Sequence, residues 1–173
     1  MAQPDGTYDF KNFGLSGIDL GRDRLDNILG LELGLNSIES INGLQACRRL
    51  KKLHAYHNQL HNVCGLADLK VLQELWVHSN TIVSIADLSS ASRLQNLRLD
   101  SNSIEDASPI ASLIRLRRLN ISNNRISNLS VRNAVQLQCY TQGENIPKMV
   151  SFYQAYRFSI LFGRQLFAVF SAP

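Results

Sequence analysis

The chain repeats itself every 22 residues, and this period constrains its fold more than any other feature of the sequence. The period is marked by five asparagines: Asn36, Asn58, Asn80, Asn102 and Asn124. Each stands in the frame L-x-x-L-x-L-x-x-N-x-I/L, where x is mostly polar and another apolar residue sometimes replaces a leucine. A fixed period of roughly 20 to 50 residues predicts a solenoid, in which each unit buries its apolar edges against its neighbours.

Each unit carries the pattern of one short strand followed by a turn. In the unit around Asn80, Leu75 and Val77 alternate with other residues, which predicts a strand whose two apolar side chains point inward. An apolar residue then recurs every three positions from Ile82 to Ala91, which suits a 3₁₀ or helical turn. We therefore predict an α/β fold, a right-handed solenoid with a parallel β-sheet on its concave face and 3₁₀ or helical turns on its convex face.

The five asparagines are expected to be structural residues rather than binding residues. Where the chain turns out of each strand, backbone N–H and C=O groups lose their strand partners. An asparagine side chain supplies two N–H donors and a carbonyl acceptor that can replace them. Loss of one asparagine would leave buried polar groups unpaired, at a cost of roughly 1–3 kcal/mol.

Composition and cysteine usage indicate a folded protein in a reducing compartment. Of the 173 residues, 45% are hydrophobic and 18% charged, which excludes a disordered chain, while a net charge of +4 says little about partners. The start of the chain, MAQPDGTYDF, lacks the apolar segment of a signal peptide. The three cysteines are scattered, and Cys47 falls at a small core position of the frame. We expect a cytoplasmic or nuclear location.

The two ends depart from the regular frame, and they divide the chain into three parts. Residues 1–14 are assigned to an N-terminal extension, 15–147 to the repeats and 148–173 to a C-terminal cap. The cap contains an aromatic run that Arg157 and Arg164 interrupt. No stretch of roughly 18–20 uncharged apolar residues remains there, so a membrane-spanning helix is not expected.

The repeats at the two ends are irregular. The first is shortened, with a strand predicted at residues 18–20 and with Asp23 in the asparagine place. The last is degenerate, and Tyr140 takes the place of its first inward leucine. The row of side chains between the inward leucines is therefore expected to begin at Asp19 and to end at Thr141.

The repeat frame and the C-terminal residues together resemble a known family. The 22-residue unit with isoleucine following the asparagine is similar to the leucine-rich repeat first known from the nuclear regulatory subunit of protein phosphatase-1. That intracellular group shares a cap of the form N-P…Y-R-x-x-V/I-I/L, and here residues 145–147 read N-I-P and residues 156–161 read Y-R-F-S-I-L. The usual proline of the cap is missing near Arg164, and Ser171 stands at the place of its aspartate.

The resemblance implies a non-enzymatic, monomeric module that binds a protein partner and needs no cofactor. Residues 43–53 and the pair Leu75-Trp76 resemble the ciliary and centrosomal branch of the family, which implies an adaptor or scaffold at a cilium, axoneme or centrosome. A regulatory subunit of protein phosphatase-1 and a ribonucleoprotein component are the alternatives. The residues also argue against an enzyme, since the sequence contains no phosphate loop, G-x-S-x-G or H-E-x-x-H motif.

The frame also predicts which side chains reach the concave face. They occupy the position between the two inward leucines and the position after the second one, and His57 follows at a strand end. The predicted binding residues are His54, Tyr56, His57, Trp76, His78, Arg98 and Asp100. Because Trp, Tyr and Arg are enriched where interfaces gain most of their affinity, we predict that this patch binds a protein, with Trp76 at its centre.

Two other kinds of site are expected to be absent from this face and its edge. Histidines on an open sheet project in parallel instead of converging on one point, so we expect no metal. A basic stripe of Arg49, Arg93 and Arg115 could meet nucleic acid, but no aromatic residues interleave with it. We expect this stripe to be a solvated edge that favours solubility.

Overall fold

The computed structural model describes residues 5–19, 27–126 and 138–140 of the chain. In these ranges seven short strands lie side by side in one sheet, and every neighbouring pair is parallel. The strands are β1 (Thr7–Asp9), β2 (Gly30–Glu32), β3 (Lys52–His54), β4 (Glu74–Trp76), β5 (Asn96–Arg98), β6 (Arg118–Asn120) and β7 (Gln138–Tyr140). Because the order of the strands follows the order of the chain, each repeat adds one strand beside the last, as in a solenoid.

Short 3₁₀ helices form a second layer in the segments between the strands. They lie at Leu44–Ala46, Leu66–Asp68, Ala86–Ser90 and Ser108–Ser112. Each contributes one apolar side chain to the interior, and consecutive helices contact one another as the strands do. The predicted α/β repeat solenoid, with a parallel sheet on one side and 3₁₀ turns on the other, is confirmed.

A continuous apolar core fills the space between the two layers. On the strand side, Leu53, Leu75 and Leu97 are no more than 1% exposed, and on the turn side Ile82 and Ile85 are equally buried. Burial of one such side chain contributes roughly 1.5–3 kcal/mol. A repeat of a solenoid buries its apolar edges against its neighbours, so this stabilisation requires stacking.

The asparagine side chains of the frame join the backbones of adjacent repeats. Nδ2 of Asn80 donates to the carbonyl oxygens of Ala55, Val77 and His78 at 3.0, 3.0 and 3.2 Å. Its Oδ1 accepts from the N–H of Leu60 at 3.0 Å. Equivalent bonds are made by Asn58, Asn102 and Asn124. Since Ala55 and Leu60 belong to the preceding repeat, each asparagine fixes the position of one repeat on the next.

A left-handed backbone precedes each of these asparagines. The φ angles are +57° at Leu35, +51° at His57, +54° at Ser79, +57° at Ser101 and +53° at Asn123. This conformation costs a residue with a Cβ atom roughly 1–2 kcal/mol, and asparagine tolerates it better than leucine does. Leu35 is also 43% exposed, so only part of its side chain contributes to packing.

Asparagine is therefore expected to be more stable than alanine at position 35. We expect the free energy of unfolding of Leu35→Asn to exceed that of Leu35→Ala by about 1 kcal/mol, because alanine also removes the leucine side chain but has no polar group that hydrogen-bonds locally in the left-handed conformation. Urea unfolding followed by circular dichroism measures the difference. Equal stabilities of the two variants would mean that backbone strain at this position is negligible.

The sheet begins earlier in the chain than the sequence predicted. The first strand lies at Thr7–Asp9, inside the stretch assigned to an N-terminal extension, and it pairs directly with β2. The prediction of a first strand at residues 18–20 is wrong, because described residues of that segment form no strand. Tyr8 and Phe10 pack against the core at places where later repeats carry leucine, and a leucine frame does not detect them. Asp9 thus takes the place in the row that was predicted for Asp19.

The last strand is shifted by one residue from its predicted register. Cys139, rather than Tyr140, stands opposite Leu119, because 20 residues separate the two positions where the regular period is 22. The row of residues between the inward positions consequently continues to Tyr140, and the prediction of Thr141 there is wrong. The predicted cap at 148–173 lies outside the described residues. In the described ranges no helix is both long and apolar enough to cross a membrane.

Candidate protein-binding face

Two columns of side chains cross the middle strands on the sheet face that points away from the core, which we call the concave face. The first column contains Glu32, His54, Trp76 and Arg98, which the strand register places side by side. The second lies two places further along each repeat and contains Gly34, Tyr56, His78 and Asp100. Neighbouring strands are about 4.8 Å apart, so side chains within a column touch. All predicted binding residues except His57 lie in these two columns.

Trp76 is held flat between two neighbours of the first column. Its indole stacks on the imidazole of His54, with ring centroids 3.9 Å apart and an interplanar angle of 6°. On the other side the guanidinium carbon of Arg98 lies 5.6 Å from the indole centroid. Cation–π contacts of this kind are worth roughly 0.5–1 kcal/mol at exposed sites. The indole is therefore already oriented before any partner binds.

His54 supports Trp76 instead of facing the solvent. Its Nδ1 lies 2.7 Å from Oε1 of Glu32, and its Nε2 lies 3.0 Å from Oε1 of Glu74. Because carboxylates only accept, both contacts are hydrogen bonds at the same time only when both ring nitrogens carry a proton. The residue is 7% exposed, so its contribution to a binding face is to position the indole above it.

The second column depends on a glycine that leaves room for a ring. Tyr56 stacks on His78, with centroids 4.9 Å apart and an interplanar angle of 10°. On its other side the phenol lies directly over Gly34, where an added Cβ would stand 2.5 Å from Cζ of the ring. Nζ of Lys11 approaches the same ring at 5.8 Å from the centroid. Any side chain at position 34 would thus push Tyr56 out of the stack.

Replacement of Gly34 by alanine is expected to displace Tyr56 while the fold is retained. The lost stack with His78 should lower the free energy of unfolding by about 1 kcal/mol. In NMR spectra the ring resonances of Tyr56 should shift strongly and those of Trp76 little. Gly17→Ala is the matched control, because no atom lies within 4 Å of its added Cβ. Unchanged Tyr56 resonances in Gly34→Ala would contradict the role of this glycine.

His57 extends the second column to the rim of the sheet. Its ring makes edge contacts with Tyr56 and His78, with centroids 5.9 Å from each. It is exposed, in contrast to His54, and its backbone is left-handed. The structure therefore gathers all seven predicted binding residues into one surface.

His78 is neutral at physiological pH because of its surroundings. Its Nδ1 is buried and has no hydrogen-bond partner among the described residues. This burial and then the positive charge of Arg98 lower its pKa to about 4, although the carboxylate of Asp100 acts in the opposite direction. His54 and His57 add smaller contributions that also lower the pKa.

The lowered pKa of His78 predicts a loss of stability at acidic pH. An unfolded histidine binds a proton below about 6.5, whereas the folded pKa is about 4. The unfolded state therefore binds more protons between these values, and the free energy of unfolding should fall as pH falls through that window. His78→Phe keeps a ring beside Tyr56 but cannot be protonated, so it should lose less stability between pH 7 and pH 5. Equal losses in urea unfolding would exclude His78 as the source.

A pocket of about 320 Å³ opens on the concave face beside Trp76. Its lining consists of Glu74, Trp76, Asn96, Leu97, Arg98, Arg118, Leu119 and Asn120. Of these residues, only Trp76 and Arg98 belong to the predicted binding set, although the frame also placed Asn120 in the row between the inward leucines. The missed polar residues Glu74, Asn96 and Arg118 form a third column, one place before the inward leucine, and the same 22-residue period marks them.

The chemistry of the described residues is that of a binding surface. No group of three His, Cys, Asp or Glu side chains in the described ranges could hold a metal ion. Glu32 and Glu74 approach opposite nitrogens of His54 and so do not converge. A hydrogen bond to Asp87 raises the pKa of the Cys64 thiol, whereas a nucleophilic thiol needs a lowered pKa.

Comparisons with known proteins agree with this architecture. A family model described as leucine-rich repeats in two copies matches residues 92–133, which is less than half of the chain. No curated protein sequence matches the chain. Leucine-rich repeat proteins generally mediate protein–protein interaction and are typically not enzymes.

Three internalins of Listeria monocytogenes are among the similar solved structures. Internalin inlF is 25% identical, with a TM-score of 0.61 over 70% of this chain and 36% of its own. Internalin C2 is 22% identical, with a TM-score of 0.54 over 79% of this chain and 80% of its own. The functional domain of InlJ, which includes a cysteine ladder, is 22% identical, with a TM-score of 0.63 over 73% of this chain and 28% of its own.

These likenesses support the fold and say nothing of a shared partner. The chain spans about a third of the length of the inlF structure and less of InlJ. The repeat frame, the parallel sheet with 3₁₀ turns, the family model and the internalin structures all indicate the same architecture. The fold of the chain is that of a leucine-rich repeat solenoid.

Proposed function

We propose that this protein is an adaptor that captures a protein partner on its concave face, with Trp76 as the central contact. The proposal rests on the orientation of the Trp76 indole, which lies between His54 and Arg98 and lines a pocket. Aromatic and arginine side chains beside a pocket are the usual centres of binding energy in interfaces. A side chain that is already ordered loses little conformational entropy on binding, which favours affinity.

Affinity capture from ciliated cells tests the concave site. The wild-type protein is compared with the double variant Trp76→Ala/Arg98→Ala, and recovered proteins are identified by mass spectrometry. We expect one or more partners to be lost from the double variant, since truncation of central contacts typically costs about 2 kcal/mol or more. Unchanged melting curves would show that the loss is one of contact and not of folding.

A matched control removes one apolar residue and one arginine elsewhere on the surface. Val83 and Arg125 are both exposed and lie outside the two columns and the basic stripe. The variant Val83→Ala/Arg125→Ala should therefore retain every partner that wild type recovers. Equal recovery by wild type and the Trp76→Ala/Arg98→Ala variant would place the binding surface elsewhere and contradict the proposal.

For the cellular setting we propose a microtubule-based structure, namely a cilium, axoneme or centrosome. This proposal rests on the resemblance of residues 43–53 and Leu75-Trp76 to the ciliary and centrosomal branch. Recovery of axonemal or centrosomal proteins by wild type alone would support it. Recovery of the catalytic subunit of protein phosphatase-1 would instead support a phosphatase regulator.

A ribonucleoprotein component would bind through a different surface. Arg49, Arg93 and Arg115 are all exposed, as a nucleic-acid contact requires. Binding of RNA through them should weaken steeply as the salt concentration rises, because each phosphate contact releases counterions. Binding through Trp76 should depend far less on salt, because burial of apolar surface is not screened.

A further inference from the structure

We infer that the pocket beside Trp76 receives an acidic side chain, aspartate or glutamate, of the protein partner. The inference rests on the proposed function and deepens it, because it names the chemistry that the concave face recognises. It follows from the hydrogen-bonding groups and charges that line the pocket.

Three of the four side-chain acceptor oxygens in the pocket wall are engaged, the exception being Oδ1 of Asn96. Of the two carboxylate oxygens of Glu74, Oε1 contacts Nε2 of His54 at 3.0 Å and Oε2 accepts from Asn96 at 3.4 Å. Oδ1 of Asn120 accepts from both the N–H and the hydroxyl of Ser122, at 3.2 and 2.9 Å. At those three oxygens, a donor group of a partner would compete with hydrogen bonds that already exist.

The donors in the wall, by contrast, are available. Arg118 is exposed and makes no ion pair with any side chain in the described ranges. Arg98 uses Nε and one terminal nitrogen on Asp100, both at 3.3 Å, and its other N–H groups face no described acceptor. The indole N–H of Trp76 likewise donates to no described residue. A partner side chain that forms hydrogen bonds with these donors must therefore supply acceptor atoms.

The unpaired guanidinium of Arg118 favours an anionic acceptor over a neutral one. Asp100 pairs with Arg98, whereas Arg118 lines the pocket and makes no ion pair with a described side chain. Guanidinium and carboxylate are both planar and form two parallel hydrogen bonds, which makes this pair stronger than a neutral contact.

Selection of peptides on the folded protein tests the inference. A random peptide library displayed on phage is selected against wild type, and the dissociation constants of enriched peptides are then measured by isothermal titration calorimetry. We expect the peptides to share an aspartate or glutamate. Replacement of this acidic residue by asparagine or glutamine should weaken binding to wild type roughly tenfold. The same replacement should weaken binding to Arg118→Gln by less than about twofold, because that variant lacks the guanidinium that pairs with the carboxylate. Arg117→Gln is the control, since Arg117 is exposed but does not line the pocket.

The outcomes separate this inference from the proposed function. The enriched peptides could lack a shared acidic residue and still bind Trp76→Ala poorly. This result would overturn the inference but would still support binding on the concave face. Peptides that bind Trp76→Ala as well as wild type would overturn both, as would a library from which no binder is enriched. Equal weakening by Arg117→Gln and Arg118→Gln would show a general effect of charge and also overturn the pocket assignment.

Discussion

Replacement of Asn80 by alanine is expected to lower the free energy of unfolding by about 3 kcal/mol, since each buried polar group left without a partner costs about 1–3 kcal/mol. The side chain makes four hydrogen bonds to backbone atoms, three as donor and one as acceptor. Asn80 is only partly buried, so water satisfies part of what alanine leaves unpaired. For a domain of this size the midpoint of thermal unfolding should fall by roughly 6–12 °C.

The matched control for Asn80 is an asparagine of the sheet face. Asn96 makes a single side-chain bond, to Glu74 at 3.4 Å, so Asn96→Ala should change stability by less than about 0.5 kcal/mol. Asn80→Asp is a second variant, which retains the acceptor for Leu60 but loses the three donor bonds. A melting curve of Asn80→Ala that matches wild type would contradict the structural role of the asparagine column.

Loss of His54 should be the most destabilising change on the concave face. Without the imidazole, the carboxylates of Glu32 and Glu74 face each other with side chains only 27% and 19% exposed. Removing one partner of a fully buried ion pair costs roughly 3–5 kcal/mol. Because these carboxylates are partly screened by solvent, we expect His54→Ala to cost about 2 kcal/mol. Trp76→Ala, which leaves that network in place, should cost about 1 kcal/mol.

Neutralising the two carboxylates should restore part of the stability lost with His54. The triple variant Glu32→Gln/His54→Ala/Glu74→Gln removes the repulsion while the stack with Trp76 remains lost. Urea unfolding of the single and triple variants, together with Glu32→Gln/Glu74→Gln alone, completes a thermodynamic cycle. If the triple variant is no more stable than His54→Ala, the cost of losing His54 comes from packing, and our electrostatic account is wrong.

The repeats were predictable because their determinants recur at a fixed interval. Leu53, Leu75 and Leu97 stand in equivalent places of successive units, and the structure pairs them directly. The prediction failed only where the period itself fails. At the N-terminal end Tyr8 and Phe10 replace leucine, and at the C-terminal end the repeat before Cys139 is two residues shorter.

The site was predictable in its location but not in the roles of its residues. A side chain of the first or second column reaches the concave face whatever its type, so the period placed Trp76 and Arg98 correctly beside each other. It could not show that His54 would be buried between two carboxylates. The period also could not show that the ring of Tyr56 packs directly against Gly34.

The sequence by itself therefore determined the parallel stacking, the buried leucines and the face on which polar side chains gather. These properties follow from the alternation of side chains along a strand and from a repeat that cannot be stable alone. The tertiary structure decided which rings stack, which carboxylates surround His54 and where the pocket opens beside Arg118. Those features depend on the rotamers of side chains in adjacent strands, and a period of 22 residues constrains the neighbours of a side chain but not its rotamer.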